Sequence, residues 1–323
     1  MKIPVLFIIF NRLDTTKQVF EEIKKAKPQK LYIASDGPRE DKLGEKEMVE
    51  NVRNYVLKNI DWECEVKILF RDKNLGSGKG PSEAITWFFE NEEMGIIIEN
   101  DCIPSQSFFR FCEELLEYYR NDERIGMISG FNPFSDKIKS DKNYIFSKYT
   151  IQWGCWATWK KVWKKYDYYM KDYKLKRKDI LDKFDKILVK IYWKLTFDIF
   201  YYKIHENSWD EKLQYLMFKE NKFTIFPSKM LVNNIGFGFN STHCFKKPKY
   251  LFNIKFYKDS LICLEHPEKV AINNQFEQIL EKEYYNINFS YVLYLFLKSI
   301  LGRWKIIKKF LNLKRYLHNY VVF

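Results

Sequence analysis

A single pattern repeated over the first 130 residues most constrains how this chain can fold. Each unit has a short apolar run, a polar turn and an amphipathic stretch with helical spacing. Such alternation predicts a mostly parallel α/β sheet flanked by helices. The strands are predicted at 5–10, 31–34, 66–70, 96–98 and 125–129, and the helices at 15–25, 48–57, 82–89 and 106–119.

Length and a shift in composition predict how the rest is organised. A chain of 323 residues fits one α/β domain with an appended segment. From Trp153 onward the sequence becomes rich in Trp, Tyr and Lys. We therefore predict one domain over 1–250, with a helical aromatic and basic elaboration at 160–206, and a basic amphipathic region over 251–323.

Composition excludes some classes of protein. A chain with 30% charged residues and a mean hydropathy of -0.43 is not expected to be a polytopic membrane protein. The net charge of +13 favours anionic partners such as nucleotide phosphates, nucleic acid or acidic lipid. Six cysteines without C-x-x-C spacing indicate a reduced, cytosolic protein.

Several polar residues follow the predicted strands directly. They are Asn11, Arg12, Asp36, the segment 71–80, and the turn Glu99-Asn100-Asp101. In open α/β sheets, ligands bind outside the carboxyl ends of the strands. The sequence therefore predicts one shared site on this rim.

The turn after the fourth predicted strand has the chemistry of a metal site. A divalent cation that neutralises a diphosphate is commonly held by one or two carboxylates plus phosphate oxygens. Asp101 is the predicted metal ligand, and Glu99 the predicted contact to a sugar or ribose. The alternative is an ordinary turn, in which acidic residues are common.

The glycine-rich segment 74–80 is a predicted donor-binding rim. It places Asn74, Gly76, Gly78 and Lys79 where backbone amides could approach a nucleotide or sugar. The spacing differs from the G-x-x-x-x-G-K-[ST] phosphate loop, which argues against a P-loop ATPase. We expect a flexible rim.

A second acidic motif lies far along the chain, at Ser208-Trp209-Asp210-Glu211. A carboxylate here could remove the proton from an attacking hydroxyl, with Asp210 as the candidate base and Trp209 packing on a sugar face. The alternative is a helix start, where acidic residues are favourable.

One histidine lies in a loop predicted at 231–243. His243 is a candidate second ligand of the metal or the diphosphate. A lone histidine is more often structural, and that alternative stays open.

The segment 289–323 has seven Lys or Arg residues and no Asp or Glu. Apolar residues recur among them at helical spacing: Leu293, Leu297, Ile300, Leu301, Trp304, Ile307, Phe310 and Leu311. This pattern is typical of a basic amphipathic helix on an anionic membrane surface. The alternative is a helix that packs on the α/β domain.

Taken in order over residues 3–245, these segments resemble a bacterial family of nucleotide-diphospho-sugar transferases related to N-acetylglucosaminyltransferase I. The resemblance is carried by the segments 4–12, 35–37, 74–78, 84–89, 95–104, 108–111, 153–159, 208–210, 234–238 and 242–243. It implies a GT-A fold, an inverting mechanism, Mn²⁺ or Mg²⁺ as cofactor and UDP as the nucleotide.

The resemblance also implies roles for single residues. Arg12 would contact the nucleotide, Asp36 the base, Glu99 the donor sugar, Asp101 the metal and Asp210 the acceptor hydroxyl. Trp153 and Trp209 are expected at the acceptor. The family usually has Glu-Asp-Asp where this chain has Glu99-Asn100-Asp101, which predicts differently tuned metal binding, and Glu211 could compete with Asp210 as the base.

These observations predict a hexosyl- or N-acetylhexosaminyltransferase with a lipopolysaccharide, capsule or lipid-linked oligosaccharide as acceptor. Its expected location is cytoplasmic, peripheral on the inner face of a bacterial membrane. The alternatives are a sugar nucleotidyltransferase, whose glycine-rich loop should follow the first strand, and a non-enzymatic basic protein that binds membrane or nucleic acid. Nucleic acid is not the expected partner, because it leaves the strand-end carboxylates unexplained.

Overall fold

A computed structural model describes residues 1–138, 142–204, 208–237, 248, 251, 255–257 and 264–318, with side chains as far as residue 303. The strands are β1 (Val5–Ile9), β2 (Lys30–Ser35), β3 (Glu65–Phe70), β4 (Met94–Glu99), β5 (Cys102–Pro104), β6 (Ile125–Ser129), β7 (Tyr144–Ser147), β8 (Cys155–Trp159), β9 (Phe223–Pro227) and β10 (Val232–Asn234). The helices are α1 (Leu13–Ala26), α2 (Glu45–Lys58), α3 (Gly76–Asn91), α4 (Gln106–Tyr118), α5 (Lys160–Trp163), α6 (Tyr173–Leu181), α7 (Ile187–Tyr201), α8 (Asp210–Lys219), α9 (Asn274–Ile279) and α10 (Phe289–His318).

The main sheet has the order β3-β2-β1-β4-β8-β6-β9-β7 in the described part of the chain. Six strands run in one direction, and β8 and β7 run against them. Strands β1, β4 and β8 are buried almost throughout, because helices cover both faces of the sheet. Their sequences are therefore nearly continuous apolar runs. The predicted class, a mostly parallel α/β sheet flanked by helices, is confirmed.

Three local expectations differ from the structure. The glycine-rich segment is not a flexible rim, because Gly76 begins α3. The segment 155–159, which the sequence marked only by its aromatic residues, is the antiparallel strand β8 beside β4. Within the predicted loop at 231–243, residues Val232–Asn234 form β10, which pairs with β5 in a small second sheet.

The helices beyond β8 bury aromatic residues against one another and against the connection after β7. In α7, Trp193 lies 4.9 Å from Phe218 of α8 and 5.9 Å from Tyr149, measured between ring centroids. The chain after residue 264 packs on the same body, since Phe276 of α9 meets Phe226 of β9 at 4.9 Å. No helix in the described ranges is long and apolar enough to cross a membrane.

A buried carboxylate joins three of these helices. Asp198 of α7 is almost fully buried and accepts hydrogen bonds from Lys194 Nζ at 2.9 Å and Tyr173 Oη at 3.0 Å. It also accepts one from Arg303 Nη2 of α10 at 2.9 Å. Removing either the buried carboxylate or one of its cationic partners therefore lowers the stability of the fold.

Replacing Asp198 with asparagine should lower the free energy of unfolding by about 2 kcal/mol. The cationic side chains around it keep part of their hydration, but they lose the negative charge with which they all pair. Urea denaturation followed by circular dichroism measures this. Asp182→Asn is the matched control, since Asp182 is exposed and pairs only with Lys190 in the described contacts. The control should change stability by less than about 0.5 kcal/mol, and equal effects of both variants would contradict the assignment.

Candidate active site

Two adjoining cavities open at the carboxyl ends of β1 and β4. The α3 cavity, about 320 Å³, lies beside the start of α3 and includes Asp36, Arg39 and Arg71. The α8 cavity, about 470 Å³, lies beside the start of α8 and includes Asp101 and the pair Asp210 and Glu211. Five residues line both cavities: Phe10, Ser77, Pro81, Glu99 and Asn100. The strand-end residues that the sequence placed on one rim are therefore brought together.

Asp36 fixes the start of α3. Its Oδ2 accepts from the backbone amides of Leu75 at 2.9 Å and Gly76 at 3.1 Å, which places a carboxylate at a helix N-terminus. An added Cβ at Gly80 would lie 3.0 Å from the same oxygen, so glycine permits the close approach. Asp36 Oδ1 is buried and has no hydrogen-bond partner among the described residues. Burial raises the pKa of Asp36, although amide donors, Leu75 first, oppose the shift.

Of the remaining predicted residues of the glycine-rich segment, one lines the α3 cavity and two do not. Asn74 lines the α3 cavity, donates to Gly37 O at 2.7 Å and accepts from the Gly76 amide at 3.1 Å. Gly78 is buried in α3, and Lys79 pairs with Glu83 at 3.6 Å. Gly78 and Lys79 line neither cavity, so the structure does not bring these two together with the other predicted donor residues.

Glu45 organises a part of the site that sequence reasoning missed. It is buried, accepts from Asn11 Nδ2 at 2.8 Å and forms an ion pair with Arg39. Burial opposes ionisation of Glu45, but the Arg39 donors outweigh it and hold the pKa below its ordinary value. Arg39 is thereby held beside the α3 cavity. The sequence offered no signal for this, because Glu45 belongs to a helix and not to a strand end.

Glu99 is held where β4 meets the β8 connection. Its amide donates to Gly154 O at 2.6 Å. Gly154 has a φ of +72°, and a Cβ there would overlap the Cys102 sulfur. Only glycine tolerates both conditions, which explains the glycine between Trp153 and Cys155.

Asp101 lies on the turn between β4 and β5. Its carbonyl accepts from the Ile235 amide at 2.8 Å, and an added Cβ at Gly236 would overlap its Oδ2. Arg12 Nη1 lies 3.5 Å from Asp101 Oδ2 and 3.5 Å from Gly236 O. The β5–β10 pair therefore sets the position of the predicted metal ligand. His243 lies outside the described residues, so its predicted role stays a prediction.

Asn100 has a local reason to be an amide. Its Nδ2 donates to Thr16 Oγ1 at 3.1 Å, while that hydroxyl donates to Arg12 O at 2.6 Å. With the Thr16 proton already used, the position next to it requires a donor, and a carboxylate supplies none when ionised. The Asn100 amide thus forms a hydrogen bond that supports the Arg12 backbone through Thr16.

Asp210 and Glu211 share one hydroxyl. Ser208 Oγ makes short contacts to Asp210 Oδ1 and Glu211 Oε2. A hydroxyl has one proton, so one of the two acids must donate in its turn. Burial, and then the charge of Asp210, raise the pKa of Glu211 well above its ordinary value. Glu211 therefore keeps its proton to a higher pH than an ordinary glutamate, and when protonated it can donate to Ser208 Oγ and leave the Ser208 proton for Asp210.

The two predicted acceptor tryptophans both line the α8 cavity. Trp153 stacks on Phe131 with centroids 4.7 Å apart and keeps part of its surface exposed. Trp209 is 6% exposed and stacks on Trp156 of β8 at 5.6 Å. Most of the Trp209 ring is thus used to hold the start of α8 against the sheet, and its contact with an acceptor stays a prediction.

The cleft accumulates negative charge. Burial, followed by the charges of Asp101 and Asp210, raises the pKa of Glu99 to about 8. Among the described residues, no three His, Cys, Asp or Glu side chains form a group that could hold a metal ion alone. Asp101 by itself fits a cation that takes most of its ligands from diphosphate and water, as Mg²⁺ often does.

Comparison with known proteins gives distant similarities only. No family model and no curated protein matches the chain. Among solved structures, a mannosyltransferase from Pyrobaculum calidifontis in complex with GDP-Man and Mn²⁺ aligns at 11% identity and a TM-score of 0.35, over 51% of this chain and 47% of its own. GalNAc-T7 with UDP, GalNAc and Mn²⁺ aligns at 11% identity and 0.40, over 71% and 43%.

An apo UDP-glucose pyrophosphorylase aligns at 13% identity and a TM-score of 0.35, over 70% of this chain and 90% of its own. The chain thus spans less than half the length of the two transferases that it matches. The predicted relation to N-acetylglucosaminyltransferase I stays a prediction.

The Glu211 assignment predicts a dependence of stability on pH. A raised pKa means that the folded state binds more protons than the unfolded one, so stability is complete below about pH 4.3 and falls as pH rises toward the folded pKa. Glu211→Gln should therefore reduce the fall in Tm between about pH 5 and pH 9. Differential scanning fluorimetry measures the slope. Glu47→Gln, on the exposed side of α2, should leave the slope unchanged, and equal slopes for all three proteins would contradict the assignment.

Proposed function

We propose that this protein is an inverting, metal-dependent glycosyltransferase of the GT-A type. It transfers a hexosyl or N-acetylhexosaminyl group from a UDP-sugar to a hydroxyl of a glycan acceptor. The observation that carries the proposal is the junction of two cavities, one with nucleotide-binding chemistry and one with a buried acid pair, which share Glu99 and Asn100.

The α3 cavity supports nucleotide binding. A base can pack on its apolar wall, beside Asp36. Arg39 and Arg71 line the same cavity and favour the phosphates through charge-assisted hydrogen bonds.

The metal would be held by Asp101 together with the two phosphates. It would supply charge neutralisation for the departing UDP. Arg12, 3.5 Å from Asp101, adds a second positive charge on the same side of the cleft. Glu99, at the bottom of the α8 cavity, is placed to hydrogen-bond the hydroxyls of the donor sugar, and its raised pKa leaves it a proton to donate.

Asp210 is the proposed base. Its carboxylate receives the Ser208 hydrogen bond, while Glu211 keeps its own proton. The acceptor hydroxyl loses its proton to Asp210 as its oxygen attacks the anomeric carbon, and the bond to the UDP oxygen breaks on the opposite face. Glu211 positions Asp210 through Ser208, which separates the roles of two adjacent acids.

Separate variants should divide binding from chemistry. Asp101→Asn should abolish the Mn²⁺-dependent part of UDP binding in isothermal titration calorimetry, because the proposed ligand of the cation among the described residues loses its charge. Asp61→Asn, which removes an exposed carboxylate beside Lys24, is the control and should bind like the parent protein. UDP binding with unchanged Mn²⁺ dependence in Asp101→Asn would remove Asp101 from the metal site.

For transfer, Asp210→Asn should keep UDP binding and lose about 10²–10⁴-fold in rate, the usual contribution of a general base. Glu211→Gln should keep most of the rate, because glutamine imitates a protonated glutamate. Release of UDP in the presence of donor and acceptor measures both. Full activity in Asp210→Asn, or the larger loss in Glu211→Gln, would reverse the assignment of the base.

A ligand screen tests the function as a whole. UDP or a UDP-sugar with Mn²⁺ should raise Tm more than either component alone, since a ligand present at 100 times its Kd stabilises the folded state by about 2.7 kcal/mol. ADP, GDP and CDP with Mn²⁺ are the controls. Absence of a shift with every nucleotide, with and without Mn²⁺, would contradict a nucleotide-sugar enzyme.

A further inference from the structure

Helix α10 has two apolar faces, and one of them packs on the protein. Val292, Leu295 and Ser299 are buried where α10 contacts α7. Further along, Gly302 lies so close to Ile204 that a Cβ would overlap the isoleucine side chain. This face of α10 therefore packs on the protein, as one of the two alternatives from the sequence predicted.

Polar contacts fix the rotation of α10 about its axis. Arg303 reaches Asp198 at 2.9 Å, and its guanidinium lies 4.1 Å from the centre of the Tyr202 ring. Because Asp198 is buried among its partners, this contact sets which side of α10 faces outward. The outward face is thus a fixed feature of the fold.

That outward face is strongly apolar. Six large side chains on it are each between 45% and 73% exposed: Phe289, Leu293, Phe296, Leu297, Ile300 and Leu301. Their spacing of 4, 3, 1, 3 and 1 follows one side of an α-helix, and the stripe is about 18 Å long. A continuous stripe of this kind marks an interaction surface, unlike single exposed leucines.

Charge selects the partner. The segment 289–323 contains Lys298, Arg303, Lys305, Lys308, Lys309, Lys314 and Arg315 and no acidic residue. A protein partner or a second copy would have to match this one-signed charge with a dedicated acidic surface. An anionic bilayer supplies negative charge and an apolar interior together, over any area.

We infer that the exposed face of α10 docks this protein on an anionic phospholipid surface. The helix lies in the plane of the bilayer interface, since its other face is held by α7 and only the stripe can enter the acyl region. The lysines of the segment and Arg315 add electrostatic attraction to the headgroups, whereas Arg303 is paired with Asp198. Docking of this kind does not depend on the proposed catalytic roles.

The docked helix would bring the cleft close to the lipid. Tyr284, five residues before α10, has its ring 6.4 Å from Trp153, which lines the α8 cavity. In the first turn of α10, the pKa of Tyr291 is raised by burial and then by the charges of Tyr294 and Glu211. The segment just before α10 therefore lies near the α8 cavity. If the proposed function holds, the docked protein meets an acceptor that is anchored in the same membrane.

Vesicle flotation of the full chain tests the inference without deleting a helix that packs on α7. The variant is Leu293→Gln, Leu297→Gln and Ile300→Gln together, which keeps charge and helix propensity. The matched control is Leu43→Gln with Leu175→Gln, two leucines that are exposed elsewhere. On vesicles of phosphatidylcholine with phosphatidylglycerol, the stripe variant should bind about tenfold more weakly or worse, and the control should bind like the parent protein. Binding of the parent should fall on phosphatidylcholine alone and at high salt.

Equal flotation of the parent and the stripe variant would overturn the inference, as would equal binding to neutral and anionic vesicles. Light scattering tests the alternative, that the stripe binds a second copy of this protein. A parent protein that does not float but dimerises, with a monomeric stripe variant, would assign the stripe to self-association. The Tm of each variant without ligand shows that the fold is intact, and its shift with UDP and Mn²⁺ reports the cleft separately, so failure of the proposed function cannot be mistaken for failure of docking.

Discussion

The hydrogen bond from the Glu99 amide to the Gly154 carbonyl, 2.6 Å long, joins the two halves of the site. On one side of it, parallel strands end beside the α3 cavity. On the other, β8 runs antiparallel and presents Trp156, on which Trp209 stacks at 5.6 Å and so places the acid pair of α8. The absence of a Cβ at Gly154 lets the connection pass close to Cys102.

Crowded acids give this cleft its chemistry. Ionised carboxylates repel one another most where water is excluded, so part of the cluster keeps its protons, as at Glu99 and Glu211. Two other acids of the cluster lie beside donors: Asp101 faces Arg12, and Asp210 contacts the Ser208 hydroxyl. The same negative charge favours binding of a divalent cation, which connects the electrostatics to the proposed transfer.

Much of the fold could be predicted, because a strand that is buried on both faces of the sheet has a run of apolar residues in the sequence. Strand β6 was predicted with its observed bounds, and the rim of Asp36 and Glu99 followed from strand ends alone. Strand β8 was missed, because a run of aromatic residues has no period that separates strand from helix. Glu45 was missed because its importance comes from Asn11 and Arg39, which are brought to it only by folding.

The sequence by itself determined the α/β class, the rim residues and the one-signed charge of the C-terminal segment, since these depend on local period and composition. Only the tertiary structure decided that the two acids share one hydroxyl and that burial raises the pKa of Glu211, because both depend on the folded surroundings of α8. It also decided that α10 packs by one face and exposes the other, because Asp198 and Ile204 reach the helix across the fold. The periodicity of the sequence indicates that a helix face is apolar, whereas contacts between distant parts of the chain decide what that face packs against.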